Sequence, residues 1–228
     1  MEYEISSPDF WQFKDEKERQ EADLKLKEFE NQGFTTLIVS VNNRIIGLIG
    51  VADEIKEDSI YTIRKLHRMG YKTIMITGDS EIVAKSIARQ VGISEVVARV
   101  LPEDKSKKIE QLQRINFVAF VGDGINDAPA LKQANVGIAI GTGTDIAIES
   151  GDIVLTKGSL IGVVQSINLS KETFKKIKQN LFWAFSYNSI MIPIAIVGLI
   201  HPVFAEIAMA LSSITVIINA NLLRRKKI

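Results

Sequence analysis

The sequence contains no cysteine among its 228 residues. This absence excludes a disulfide framework and a thiolate metal site, and it leaves no indication of a redox compartment. An excess of charge is also lacking, since 28 lysine and arginine residues stand against 27 aspartate and glutamate residues. Nucleic-acid-binding proteins usually carry a basic face or a high isoelectric point, so the charge balance argues against nucleic acid as a partner.

A secretory signal peptide is a further absence. The first residues, MEYEISSPDFWQFKDEKERQ, are acidic and polar, whereas such a signal has a basic start followed by an apolar segment. Long apolar runs are missing from residues 1–180 and are confined to residues 181–223, where Glu206 is the one charged residue. Membrane insertion is therefore expected only from the C-terminal end.

The first 180 residues have the pattern of an α/β protein. A charged segment at 14–32 predicts a surface helix that ends at Gly33. After Phe34, short apolar runs alternate with amphipathic segments, which predicts a largely parallel sheet with helices on both faces and ligands at the C-terminal strand ends. The expected strands are 36–41, 45–51, 73–76, 96–98, 117–121, 136–139 and 153–155. The expected helices are 59–69, 80–91, 104–114, 128–133, 145–150 and 160–180.

Two apolar stretches, 181–200 and 203–223, each have about the 20 residues that a membrane-spanning helix needs. The alternative is a buried helical hairpin, for which so short a chain has little covering structure. Lysines precede the first stretch and basic residues follow the second, while His201-Pro202 between them carries no lysine or arginine. The positive-inside rule places both termini and the soluble part in the cytoplasm, with membrane lipid as a partner.

The first motif with chemical potential is Thr77-Gly78-Asp79, which lies between a predicted strand and a predicted helix. A threonine hydroxyl and backbone N–H groups at a helix N-terminus can bind phosphate. The alternative is an ordinary turn in which Asp79 and Ser80 cap the helix. A second motif is Lys105 in the segment PEDK: its ammonium can act as a fixed charge toward phosphate, or it can belong to an ordinary helix start.

The third motif is the run GDGINDAPAL at residues 122–131. Asp123 and Asp127 are four residues apart in a glycine-rich loop that enters a helix. Hard carboxylate ligands on a tight backbone suit Mg²⁺, which prefers one or two carboxylates together with water and phosphate oxygens.

The three motifs, in this order and spacing, resemble the haloacid-dehalogenase-like phosphorylation domain of P-type ATPases. The resemblance covers residues 34–228 and implies that Thr77, Gly78, Asp79 and Lys105 serve the phosphorylated site. It further implies that Asn126 supports the phosphate and that Asp123 and Asp127 bind Mg²⁺. Asp53 resembles the hinge toward the nucleotide domain, although it also reads as an ordinary acidic strand end. The reaction implied is covalent catalysis through an acyl phosphate formed from ATP.

The family's nucleophile lies in an Asp-Lys-Thr-Gly-Thr run, and the 228 residues contain no such run. The Thr-Gly-Glu loop is absent as well, and the single His-Pro pair lies in the predicted external turn. The chain therefore resembles the C-terminal part of a pump, and we expect it to be inactive alone. The expected domains are 1–33, a remnant of the nucleotide-binding domain or an N-terminal helix; 34–165, an incomplete phosphorylation domain; and 166–228, a linker helix and two spans.

Residues inside the two spans indicate which ion is carried. Tyr187-Asn188 lies in the first span, and Met209 and Ser213 share a helix face in the second. A thioether is a soft ligand that suits Cu(I), although methionine also fills gaps and serines also join helices. Glu206 can serve ion release or simply lie at the wet interface.

Taken together, these four residues resemble the copper-exporting subgroup of heavy-metal P-type ATPases. Zinc and cadmium exporters of that family have a lysine in the first helix and Asp-x-Gly in the second, and neither is present. The resemblance implies Cu⁺ or Ag⁺ as the transported ion, and it places the family's Cys-Pro-Cys ligands on another helix. The alternatives left open are a membrane-anchored phosphatase of the haloacid-dehalogenase type and a non-catalytic membrane subunit or half of a split pump.

Overall fold

The computed structural model describes residues 2–8, 10–51, 54–123, 126–141, 149–199 and 201–226. The chain divides into two compact units, Met1–Gly162 and Val163–Ile228. The proposed hinge residue Asp53 and most of the helix expected at 145–150 lie outside the described residues. So do Gly124 and Ile125 of the third motif.

The N-terminal third of the first unit is an antiparallel sheet covered by a helix. The sheet has the order β1-β2-β3, so the prediction that the second and third of these strands join a largely parallel sheet is wrong. The cause is the turn Asn42-Asn43, where both residues have positive φ, because such turns connect antiparallel strands. Helix α1 begins after Asp15, whose side chain accepts from the Glu18 N–H at 2.7 Å. The elements are β1 (Tyr3–Ser6), α1 (Glu16–Asn31), β2 (Thr35–Val41) and β3 (Arg44–Val51).

The remainder of the first unit alternates strand and helix, and every strand pair in it is parallel, as predicted. The strands are β4 (Ile74–Ile76), β5 (Glu95–Val97), β6 (Ala119–Gly122), β7 (Val136–Ile140) and β8 (Ile153–Leu155). The helices are α2 (Glu57–Arg68), α3 (Glu81–Val91), α4 (Pro102–Gln113) and α5 (Ala128–Gln133). The described residues thus confirm the α/β class, with element ends within a few residues of those expected.

The parallel strands form two sheets rather than one. Strands β4 and β5 make one sheet, and β6, β7 and β8 make the other. A shared core links them, because Ile76 of β4 packs against the buried cluster that contains Phe120 of β6 and Ile109 of α4. Strands β4 and β6 therefore each keep one edge with no strand beside it in the described part of the chain.

The second unit consists of two helices. Helix α6 (Ile161–Ile196) is continuous, because no glycine or proline occurs between residues 163 and 192. It ends at Ile196, short of the predicted end of the first span, where Gly198 adopts a φ of +73°. Helix α7 (Pro202–Asn221) follows and passes into a short 3₁₀ turn, Leu222–Arg225.

One helical segment among the described residues, Val203–Arg225, is long and apolar enough to cross a membrane. It coincides with the second predicted span. The apolar end of α6, residues 181–196, falls short of the ~20 residues that a crossing requires. That two spans exist stays a prediction.

Candidate functional site

Thr77 is held at the C-terminal end of β4 by hydrogen bonds from both sides. Its N–H donates to the Val97 carbonyl at 3.0 Å, and its carbonyl accepts from the Val100 N–H at 3.0 Å. Its hydroxyl donates to the Asp79 carboxylate at 2.6 Å, and the Asp79 N–H donates back to that hydroxyl at 3.2 Å. The turn therefore presents a half-buried hydroxyl and carboxylate together at the strand end.

Capping of the following helix falls to Ser80 alone. Its hydroxyl accepts from the Val83 N–H at 3.4 Å, and it occupies the N-cap of α3. The alternative interpretation of this motif, in which both Asp79 and Ser80 are caps, is thus correct for Ser80 and wrong for Asp79. The Asp79 carboxylate instead accepts the Thr77 hydroxyl hydrogen bond.

Lys105 and Asp127 form an ion pair between α4 and the start of α5. Their Nζ and Oδ1 atoms are 2.6 Å apart, and the side chains are only 15% and 14% exposed. A mostly buried ion pair costs desolvation that short contacts must offset. The pair brings the second and third motifs together, as the sequence predicted only through family resemblance.

Gly122 makes room for the Asp127 carboxylate. A Cβ atom placed at residue 122 would lie 2.5 Å from Asp127 Oδ2, closer than any side chain tolerates. A side chain at this last position of β6 would therefore force the Asp127 side chain to shift. The motif's glycine was predicted only as part of a tight loop, and its steric role follows from the structure.

The remaining residues of the three motifs lie at the same end of the strands. Val100 bonds to Thr77, and Leu101 directly precedes α4, which carries Lys105. Asp123 follows β6 and is exposed, as is Asn126. Thr77 and Asp123 thus each follow the C-terminal end of a parallel strand, the position at which the sequence analysis expects ligands.

The donor set fits Mg²⁺ in its chemistry. Among the described residues no group of three or more His, Cys, Asp or Glu side chains could hold a metal. Asp123 and Asp127 are two hard carboxylates, and Oδ2 of Asp127 lies close over Gly122. Mg²⁺ commonly takes one or two carboxylates and completes its shell with water and phosphate oxygens.

The four residues expected to bind a transported ion lie in the second unit and are not enclosed by it. Met209 is 69% exposed, and Asn188 and Ser213 are exposed as well. The Asn188 amide donates to the Ala184 carbonyl at 2.9 Å, and the Ser213 hydroxyl donates to the Met209 carbonyl at 3.2 Å. Tyr187 is half-buried. These polar groups bond to their own helices, so a closed cation site would need a further element.

A family model of haloacid dehalogenase-like hydrolases matches residues 2–135. Among curated proteins, a copper-exporting P-type ATPase of Staphylococcus saprophyticus is 47% identical over 204 residues, which cover 89% of this chain and 26% of that protein. A probable copper-exporting P-type ATPase of Archaeoglobus fulgidus is 49% identical over 212 residues, which cover 90% and 26%. The chain thus spans about a quarter of the length of these relatives.

A solved structure of a zinc-transporting PIB-type ATPase in the E2.Pi state superposes with a TM-score of 0.77 at 34% identity. The superposition covers 97% of this chain and 36% of that one. These similarities confirm the resemblance that the three motifs predict.

Proposed function

Because the chain belongs to the haloacid dehalogenase-like hydrolase family, we propose that it supplies part of the phosphoryl site and part of the ion route of an ATP-driven heavy-metal exporter. The carried ion is Cu⁺, with Ag⁺ as a chemically equivalent substitute. ATP and Mg²⁺ are the cofactors, and the phosphorylated aspartate comes from a polypeptide segment other than these 228 residues, which contain no Asp-Lys-Thr-Gly-Thr run.

The observation that carries this proposal is the mostly buried Lys105–Asp127 ion pair, which joins the second and third motifs. The first motif, Thr77, follows the C-terminal end of strand β4. Thr77 and Lys105 would hold oxygens of a transferred phosphoryl group, and Asn126 would support it. Asp123 and Asp127 would hold Mg²⁺, which neutralises charge on phosphate when it is bound. Donors fixed before the reaction lower the barrier because they need little reorganisation.

Copper is favoured over zinc by the chemistry of the second unit. Met209 offers a thioether, a soft donor that prefers Cu(I) to Zn²⁺. Its exposure, and that of Asn188 and Ser213, fits a site completed by other helices of a pump. Two helices alone cannot enclose a polar route through lipid.

We also propose that both termini and the soluble unit are cytoplasmic. The proposal rests on the basic residues that flank the apolar stretches. Reporter fusions at residue 201 and at the C-terminus test it, and a cytoplasmic residue 201 with an external C-terminus would refute it.

Acid-stable ³²P labelling from ATP, with and without Cu⁺, tests the phosphoryl-transfer proposal. The purified chain alone should show no label, since loss of a nucleophile lowers enzymatic rates by about 10⁴–10⁶-fold. Mixed with a polypeptide that supplies the rest of a copper pump, it should support Cu⁺-dependent label on that polypeptide's aspartate.

The matched control for this experiment is Asp127→Asn, which should abolish the restored label. Label on an aspartate of this chain, with Asp53 the first to be mapped, would instead establish the membrane-anchored phosphatase. If the chain is mixed in turn with several polypeptides that each supply the rest of a copper pump and none becomes labelled, the proposal is contradicted.

A further inference from the structure

The two helices of the second unit are joined by polar side chains at their basic ends. The Asn219 amide nitrogen of α7 donates to the Asn180 side-chain oxygen of α6 at 2.7 Å. The Asn219 oxygen accepts from the Lys176 ammonium, also at 2.7 Å. Farther along, Lys226 pairs with Glu172. The three residues Lys176, Asn180 and Asn219 are called the asparagine staple below.

The asparagine staple specifies one register of the helix pair. Lys176 and Asn180 are four residues apart on α6 and therefore lie on one face, one turn apart. Asn219 sits between them with its amide nitrogen and its oxygen both engaged. A shift by one helical turn, about 5.4 Å, would break both hydrogen bonds.

Several half-buried residues of the pair are consistent with this register. Counted from Asn180, α6 has half-buried side chains after four, seven and eleven residues, and α7 has them at the same intervals before Asn219. Further half-buried side chains, Ser186, Ile194 and Val216, lie outside this matched set. The level pairs are Ala184 with Thr215, Tyr187 with Ser212, and Met191 with Ala208. Mostly small or apolar side chains at these positions distinguish registers weakly, because lipid solvates apolar side chains as well as a neighbouring helix does.

The register brings the candidate cation ligands to one depth. Asn188 lies eight residues beyond Asn180, which is about 12 Å along the helix axis. On α7, Ser213 and Met209 lie six and ten residues before Asn219, at about 9 and 15 Å. Asn188 is thus level with the midpoint between them.

We propose that Asn219 is a positioning residue that fixes the register of α6 and α7 and thereby holds Asn188 level with Met209 and Ser213. The depth argument rests on the proposed cation route, whereas the register itself does not. Asn219 touches no ion and acts through the two helices.

Paired cysteines in the full chain test the register, since the chain has no cysteine of its own. In phospholipid vesicles, the variant with Ala184→Cys and Thr215→Cys should form a disulfide on mild oxidation. The disulfide-bonded fraction is measured by mass spectrometry after the remaining thiols are blocked. Ala184→Cys with Leu211→Cys, one turn away, should form the disulfide at least about tenfold less. Asn219→Leu should reduce that preference by about tenfold, and the exposed Asn221→Leu should leave it unchanged.

A second variant separates loss of register from loss of folding. Asn180→Leu with Asn219→Leu leaves no unpaired amide, so the helices should keep their circular dichroism while the cross-linking preference falls. If Asn219→Leu, or Asn180→Leu with Asn219→Leu, leaves the cross-linking preference as it is with both asparagines present, the proposal is overturned.

Ag⁺ titration followed on the Met209 methyl resonance, in the presence of the polypeptide that supplies the rest of a copper pump, distinguishes the two proposals. Cross-linking as expected without an Ag⁺ shift would refute the copper route and leave the register assignment standing. If Ag⁺ shifts the Met209 resonance but Asn219→Leu leaves the cross-linking preference unchanged, the positioning role is refuted. If both hold, Asn219→Leu should weaken Ag⁺ binding more than Asn221→Leu does.

Discussion

Asp127 lies between a cation and a glycine, and this placement defines what the site can bind. Lys105 contacts its Oδ1 at 2.6 Å, and Gly122 leaves room for Oδ2. A metal ion at Asp127 must share the carboxylate with the ammonium, whereas a phosphoryl group gains from both cations. Lys105 should therefore oppose Mg²⁺ on its own and favour phosphate.

Lys105→Gln separates these two effects. Without the ammonium, Mg²⁺ should bind Asp123 and Asp127 more tightly, and a phosphate analogue should bind more weakly, each by about tenfold for charges a few ångströms apart. Amide resonances near residues 122–127 of the full chain report Mg²⁺ and beryllium fluoride titrations. Lys107→Gln is the control, because Lys107 is 73% exposed on the same helix. A fall in both affinities would contradict the argument.

At the scale of elements, the start of α6 depends on a carboxylate from α2. Asp58 Oδ2 accepts from the Ser159 hydroxyl at 2.5 Å and from the Ile161 N–H at 3.0 Å. The Ser159 hydrogen bond, with backbone N–H groups adding to it against the opposing effect of burial, lowers the pKa of Asp58. Lys56 donates to the Gly158 carbonyl at 2.7 Å, so two side chains near α2 fasten the turn before α6.

The lowered pKa predicts an acid-sensitive helix start. A depressed folded-state pKa contributes stability above the ordinary carboxyl pKa of about 4, and that stability is lost as pH falls through the folded value. Amide exchange of residues 156–162, corrected for intrinsic rates, should be up to about tenfold slower than in Asp58→Asn at pH 6. The two rates should converge as the pH falls below the ordinary carboxyl pKa and through the lower folded-state value.

Glu57→Gln is the control for this experiment, because Glu57 is an exposed neighbour on the same turn. It should leave the exchange of residues 156–162 unchanged at every pH. A difference between the unsubstituted chain and Asp58→Asn that persists unchanged at low pH would contradict the assignment to this carboxyl.

The elements differ in how far the sequence predicts them. The amphipathic helices and apolar strands of the parallel part follow from periodicity, and β8 lies at its predicted bounds. Strand β1, YEIS, was not predicted, because four mostly exposed residues carry little pattern and become a strand only by pairing with β2. The linker helix and the first span join into one α6 because no glycine or proline occurs between residues 163 and 192. The change from charged to apolar residues obscures this signal.

The candidate site shows the same division. Motif order and strand-end position predict that Thr77, Asp123 and Asp127 lie near one another. The contact of Asp127 with Gly122 and the engagement of Asp79 by Thr77 depend on side-chain placement, which no periodicity encodes. Asn219 carried one available signal, a polar residue inside an apolar run, which marks a functional or packing role in membrane helices.

At the scale of the whole molecule, the division of the parallel strands has a consequence for the missing nucleophile. Strands β4 and β6 belong to different sheets, yet Ile76 and Phe120 share one core. Thr77 and Asp123 stand at the ends of these two strands. Each of these strands has one edge with no strand beside it among the described residues, and neighbouring strands pair at about 4.8 Å. We expect a strand inserted between them to pair with both edges. Its own C-terminal end would then lie between the phosphate-binding groups.

We therefore expect an extended peptide, an apolar strand followed by Asp-Lys-Thr-Gly-Thr, to bind between β4 and β6 and to place its aspartate beside Lys105. Unpaired strand edges accept such a strand through main-chain hydrogen bonds. Amide exchange of residues 74–76 and 119–122 in the full chain should slow when the peptide is added, and Mg²⁺ with beryllium fluoride should strengthen binding. A peptide with proline at the centre of its strand is the control, because proline removes a ladder donor and should abolish protection. Protection confined to β1 or β3 would show instead that the peptide extends the antiparallel sheet, and the nucleophile would then have to reach Lys105 by another route.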